Sequence, residues 1–276
     1  MKHWVALLFI CITMGTTAQP ITVATFNIRY ASVNDTGNLW KDRKQYVADL
    51  IRYHRFELFG VQEALKLQLD DLRQSLPEFV HYGVGRDDGR DKGEHSSIFY
   101  SVERFELLDQ GDFWLSPTPD RPGPGWDANL NRICSWVKLK DRLSKKTFFV
   151  FNAHYDHQGI KARIESSKLV LEKIKAIAGK SPAIFMGDLN GNRESEWYRT
   201  LSGSLWLTDT YTQVALPYEP NGSFNGFKTT DVRKDVIDHV FVTEQFTATR
   251  WGVLTDTYNG KFPSDHFPVA VTIRMQ

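Results

Sequence analysis

The sequence predicts a layered α+β protein, two mixed β-sheets packed face to face with helices outside. Three observations carry that prediction. Segments with strand texture alternate with helical stripes and show no internal repeat. The stretch from about 95 to 156 is strand-rich throughout and reads as antiparallel sheet. The chain has 276 residues, 41% of them apolar and 13% aromatic, with no linker, which suits one large core.

The elements follow in chain order. Lys2 and His3 precede an apolar run from Val5 to Met14, and small residues Thr16, Thr17 and Ala18 follow. That is the pattern of a secretory signal, cleaved after Ala18. The run is too short to cross about 30 Å of hydrocarbon, and no second one exists, so no transmembrane segment is expected. Cys11 follows Ile10 where a lipid-anchor signal has a small residue, which argues against an anchor. Without residues 1–18 the chain keeps 33 basic and 33 acidic residues and a lone cysteine, Cys134. Residues 19–276 are therefore expected to form a single secreted or periplasmic domain without disulfides.

Ile21 to Ile28 reads as a strand, and Val47, Leu50, Ile51 and His54 recur at helical spacing across 41–54. The run 57–62 suits a buried strand. Leu65, Leu69, Leu72 and Leu76 mark a second helix stopped by Pro77. Strands are expected at 96–101, 104–111, 133–139 and 147–153, split by a Pro/Gly-rich loop at 116–125. A helix at 160–178 carries the stripe Val170, Leu171, Ile174, Ile177, Ala178, and strands at 183–186, 236–242, 248–254 and 269–274 complete the chain.

Polar residues stand at the ends of several of these strands: Asn27, Glu63, His154 with Asp156 and His157, Asp188 with Asn190, Asp238 with His239, and Asp265 with His266. A strand end fixes a side chain while leaving it at a sheet edge, where distant segments can meet. Taken singly, each has an ordinary alternative: Asn27 and the Asp188–Asn190 pair as turn formers, Glu63 as a helix cap, the Asp–His pairs as local hydrogen bonds.

Together the motifs Thr-Phe-Asn27-Ile-Arg-Tyr, Val-Gln-Glu63, Asn-Ala-His154, Met-Gly-Asp188-Leu-Asn190, Ile-Asp238-His-Val-Phe-Val and Ser-Asp265-His266 occur in an order that resembles the endonuclease/exonuclease/phosphatase (DNase I-like) family, in particular a secreted bacterial branch. The resemblance runs from about 21 to 275. It implies a four-layered α/β sandwich and hydrolysis of a phosphate ester with a divalent metal, usually Mg²⁺, for which Mn²⁺ can substitute. Glu63 matches the family's principal metal ligand, a hard carboxylate of the kind Mg²⁺ prefers. Asn27 and Asp265 match further metal-binding residues, Asn27 offering its amide oxygen to the metal or its NH₂ to a phosphoryl oxygen, and Asp265 a carboxylate on the metal side. Asp188 matches the group that orients and deprotonates water, Asn190 one that holds phosphate, and His266 the histidine set against the scissile phosphate. Asp238 is its orienting carboxylate, and His154 the second phosphate-facing residue.

Substrate is less constrained. Arg132 suits phosphate binding or a surface salt bridge, and Glu94 and His95 a rim position. Trp114 and Trp126, in the irregular segment 112–131, suit either a ligand platform or packing. The expected activity is a secreted phosphoesterase acting on a sugar, nucleotide or lipid-head-group phosphate by in-line water attack. A nuclease is the alternative within the family, although the balanced charge gives no broad basic face for duplex nucleic acid. A noncatalytic binding module on the same fold is the alternative from another class, and the full set of site residues counts against it. No stable protein partner is indicated.

Overall fold

The computed structural model describes residues 19–230 and 234–276; the expected signal segment and its cleavage point lie outside the described residues. Sheet I contains β1 (Ile21–Asn27), β2 (Leu58–Gln62), β3 (Phe79–Tyr82), β4 (Ile98–Ser101), β11 (Phe246–Val253) and β12 (Val269–Met275), in the order β11-β12-β1-β2-β4-β3. Sheet II contains β5 (Phe105–Trp114), β6 (Ile133–Asp141), β7 (Thr147–His154), β8 (Ala183–Asp188), β9 (Thr208–Asp209) and β10 (Asp238–Val242), in the order β5-β6-β7-β8-β10-β9. Helices α1 (Trp40–Tyr53) and α2 (Lys66–Ser75) cover sheet I, and α3 (Ile160–Ala178) and α4 (Glu196–Ser202) cover sheet II. A short α5 (Thr210–Gln213) follows β9.

The alternation of side chains along a strand decides which layer each residue joins. In β1, Ile21 and Val23 point between the sheets, while Ala24 and Phe26 point outward to Val47, Leu50 and Ile51 of α1. In β7, Phe148 and Val150 point inward, while Phe149 and Phe151 meet Val170 and Ile174 of α3. The central strands are thus buried on both faces, which is why they read as continuous apolar runs rather than as alternating ones. Truncating one of these fully buried rings, such as Phe148, to alanine costs about 3–5 kcal/mol.

The expected strands and helices are present, with ends shifted by a few residues. Four elements were not anticipated: β3, α4, β9 and α5. The last three have 7, 2 and 4 residues, too short to display a period. Among the described residues, no helix is long and apolar enough to cross a membrane.

Topology explains where the polar strand ends go. The central pairs β1–β2 and β7–β8 are parallel, so Asn27, Glu63, His154 and Asp188 all emerge at one end of the sandwich. β12 and β10 run antiparallel to β1 and β8, so the residues that begin them, Asp265–His266 and Asp238, arrive at that same end. His154 and Asp238 both stand opposite Asp188 in the sheet register. The close β7–β8 approach requires Gly187, whose φ is +153° and where a Cβ would lie 2.0 Å from the Ala153 carbonyl oxygen.

Candidate active site

Asn27 links the two sheets. It is fully buried, and its Nδ2 donates to Glu63 Oε1 at 3.1 Å and to Asp188 Oδ2 at 3.0 Å. Its oxygen accepts from the Arg29 backbone N–H, so in this arrangement Asn27 orients two carboxylates. Glu63 follows β2 with a φ of +62°, which turns its carboxylate away from the strand line, and Tyr30 N–H donates to its Oε2 at 3.2 Å. Arg29 is the cation facing this corner: it pairs with Asp35 at 2.9 Å and lies 3.7 Å from Glu63 and 3.8 Å from Asp265.

These segments are held from behind. Buried Arg43 of α1 donates to the carbonyls of Ile28, Arg29 and Pro263, tying the end of β1 to the approach of Asp265. Gln68 of α2 bonds Arg29 O and Ala31 N–H, and Ser264 Oγ donates to Asn27 O at 2.7 Å. A site whose supports are themselves buried and bonded keeps its geometry.

Asp188 is the centre. Its Oδ1 accepts from Asn190 N–H at 2.9 Å, the turn bond foreseen as the alternative role of that pair. Its Oδ2 faces Asn27 at 3.0 Å, His154 Nε2 at 3.5 Å and His266 Nε2 at 3.8 Å. Burial, reinforced by the charge of Asp238, pushes the Asp188 carboxyl up to about 7. Burial works against the His266 cation, but Asp238 and Asp188 outweigh it and hold the imidazolium up to about 10. Asp238 Oδ2 meets His266 Nδ1 at 2.9 Å. Burial, with Glu63 nearby, raises Asp265 to about 6 against the pull of His266 and Arg29.

His154 differs from His266 in charge. Burial and the neighbouring Arg132 and Arg86 drive its pKa well below the ordinary value, so it is neutral. Asn190 Nδ2 lies 3.2 Å from its Nε2 and also donates to Tyr155 O at 3.0 Å. An amide NH₂ can only donate, which makes Nε2 the acceptor and leaves the proton on Nδ1. Among the described residues that Nδ1 has no hydrogen-bond partner, and it stands 3.9 Å from Glu94.

These groups line a cavity of about 550 Å³ that continues past His154 to Glu94, Arg132, His157, Leu130 and Phe224. Asn27 and Asp238 stand immediately behind its wall. Arg132 is buried rather than a surface ion-pair residue: Nη2 donates to His157 Nδ1 at 3.0 Å, Nε lies 3.5 Å from Asp156, and among the described residues Nη1 has no partner. His95 is turned to the backbone at Ala64 O.

The two tryptophans are not brought to the cavity. Trp114 ends β5 and is 7% exposed; its Nε1 donates to Arg86 O at 2.7 Å and its ring lies against Gly89. It therefore anchors the 85–95 loop. Trp126 is half-buried at a φ of +53° and takes no part in the lining. Arg29 and Phe224 do line the cavity and were not foreseen. Phe224 presents an edge-on contact to His266, with ring centroids 5.0 Å apart.

Two groups of side chains offer ligand atoms to a cation. Asp188, Asp238 and His266 present ligand atoms within 4.8 Å of one another. There, however, His266 is cationic and its Nδ1 is taken by Asp238. Glu63 and Asp265 are carboxylates whose nearest cation, Arg29, stands off at 3.7 and 3.8 Å and pairs more closely with Asp35, and hard oxygen donors are what Mg²⁺ or Mn²⁺ require.

Comparison with known proteins agrees with this fold. The model of the Endonuclease/Exonuclease/phosphatase family matches residues 24–266. A crystal structure of a protein of that family from Bacteroides thetaiotaomicron superposes with a TM-score of 0.91 at 43% identity, covering 94% of this chain and 99% of that one. A mannosyl-6-phosphatase from Bacteroides thetaiotaomicron superposes with a TM-score of 0.89 at 44% identity, covering 92% and 99%. An uncharacterised protein of Acanthamoeba polyphaga mimivirus is 25% identical over 248 residues, 84% of this chain and 91% of that protein.

Proposed function

The chain belongs to the endonuclease/exonuclease/phosphatase family, and from that premise we propose that it is a secreted or periplasmic phosphoesterase, dependent on a divalent metal, that hydrolyses a small phosphoester. Residues 19–276 act as its one catalytic domain after loss of the signal segment. A sugar phosphomonoester is the favoured substrate class, because a mannosyl-6-phosphatase is 44% identical over 92% of the chain. The observation that carries the reading is the Asp188 Oδ2 atom, ringed by Asn27, His154 and His266 at 3.0, 3.5 and 3.8 Å.

Glu63 and Asp265 would hold the metal. The fit rests on two hard carboxylates at one corner, where Asp265 is raised to about 6 by burial and by Glu63, a repulsion that a cation relieves. When bound, Mg²⁺ or Mn²⁺ would neutralise charge on the phosphoryl oxygens. Asp188 orients a water in line with the scissile bond and takes its proton; a carboxyl held near 7 is matched to that task at neutral pH. The His266 imidazolium, kept in place by Asp238, donates to a nonbridging oxygen, while Asn190, whose two amide hydrogens go to His154 Nε2 and Tyr155 O, positions His154 rather than holding the phosphate itself. Neutral His154 sits on the leaving-group side and hydrogen-bonds there.

The test is hydrolysis of p-nitrophenyl phosphate and bis(p-nitrophenyl) phosphate with Mg²⁺ and with chelator. Metal-dependent release with preference for the monoester is expected. Preference for the bis-ester would transfer the reading to phosphodiesters, including those of nucleic acids, and release that ignores the chelator would overturn the metal.

A further inference from the structure

The geometry points to a polyol subsite in the part of the cavity beyond His154, where Glu94, Arg132 and His157 read the hydroxyl groups of a sugar carried on the leaving oxygen. This inference rests on the phosphoesterase reading and adds the residues that choose the substrate.

Three observations build it. Arg132 lines the cavity with a side chain only 3% exposed, and among the described residues its buried Nη1 has no hydrogen-bond partner. Leaving such a donor unmet costs free energy, so a small shift of the guanidinium toward a ligand oxygen in the cavity is favoured. Glu94 faces the same space. Arg86 binds both of its oxygens, at 2.6 and 2.9 Å, yet a carboxylate has about four acceptor sites, so capacity remains toward the cavity. His157 is exposed on the same wall; its Nδ1 accepts from Arg132, so its Nε2 is the donor face.

A sugar hydroxyl both donates and accepts. A carboxylate beside a guanidinium satisfies both halves of a neighbouring hydroxyl pair, and Leu130 offers a surface for the C–H face. A nucleotide is a poorer fit: further phosphates would face Glu94, and neither Trp114 nor Trp126 is there for a base to stack upon. The subsite is rigid before binding. The Arg86–Glu94 pair is pinned through Arg86 O by Trp114, and Arg132 is pinned by His157 and Asp156.

The experiment compares kcat/KM for mannose 6-phosphate and p-nitrophenyl phosphate, with Mg²⁺, in the wild type, Glu94→Gln, Arg132→Lys and His157→Ala. The wild type should prefer the sugar phosphate by about 100-fold, since a site built to bond hydroxyls rejects a leaving group without them. Each variant should lower that preference by about tenfold, mainly through a higher KM for the sugar phosphate. His157→Ala alters an exposed side chain and keeps the test valid if a buried variant does not fold. Equal preference in the wild type, or equal losses on both esters in every folded variant, would overturn the subsite while leaving the phosphoesterase reading intact. Release of phosphate from neither ester would overturn both.

Discussion

The two sides of His154 are built by different means. On one side, Asn27, Asp188 and Asp238 stand at strand ends of two sheets and are fixed by ladder register, and Glu63 and His266 adjoin strands of the first sheet. On the other, Arg86, Glu94, Arg132 and His157 come from irregular segments held by ion pairs and by one tryptophan anchor. On the proposed function the first side would break the phosphoester bond and the second would meet whatever the phosphate is attached to. Chemistry would then be placed on the rigid sheets, and choice of substrate on loops that can vary without disturbing them.

If that division is right, substitutions on the strand-end side should act on turnover and those on the loop side on substrate affinity. Asp188→Asn keeps the shape and removes the base; kcat should fall by about 1,000-fold with the melting temperature little changed. An active Asp188→Asn enzyme would break the division at its centre. Asn27→Leu removes the amide that orients both Glu63 and Asp188. Activity and Mn²⁺ affinity, read by electron paramagnetic resonance, should both fall by about 10- to 100-fold.

The Asp238–His266 pair gives a stability effect with a defined pH window. His266 is raised from an unfolded value of about 6.5 to about 10, so the pair stabilises fully below pH 6.5 and loses its contribution as pH rises to 10. The melting-temperature gap between wild type and Asp238→Asn should therefore be widest near pH 6 and narrow steadily toward pH 10. A constant gap would mean that the pair is not ionic. The smallest effect belongs to the loop side: Trp114→Phe loses one hydrogen bond to Arg86 O, costing about 1 kcal/mol of stability. KM should rise a few-fold with kcat nearly preserved, and a fall confined to kcat would show that the anchor serves the strand-end side instead.

The same division governs what could be read from the sequence. Asn27, Glu63 and Asp188 close recognisable apolar strands and His266 precedes one, in motifs with a fixed order, so they and the two-sheet architecture were legible. Arg29 was not: its contacts reach Asp35, Glu63 and Asp265, and a single arginine after a strand gives no sign of a partner 236 positions away. Phe224 lies in an irregular segment that is brought to the cavity by pairing with the segment around His266, a long-range contact that no local pattern announces. Trp114 was readable as platform or anchor, and its position decides for anchor, because its ring lies against Gly89 and its indole N–H is spent on Arg86 O.

The most direct test of the central claim is the release of inorganic phosphate from mannose 6-phosphate by the chain from Gln19 onward, measured with Mg²⁺, after chelation and after Mg²⁺ is restored, in the wild type and in Glu63→Gln. The account predicts turnover that disappears with the chelator and returns with Mg²⁺ in the wild type, and Glu63→Gln turnover that stays at least about tenfold lower at the same Mg²⁺. Turnover unaffected by chelation, or equal in the two proteins, would contradict it.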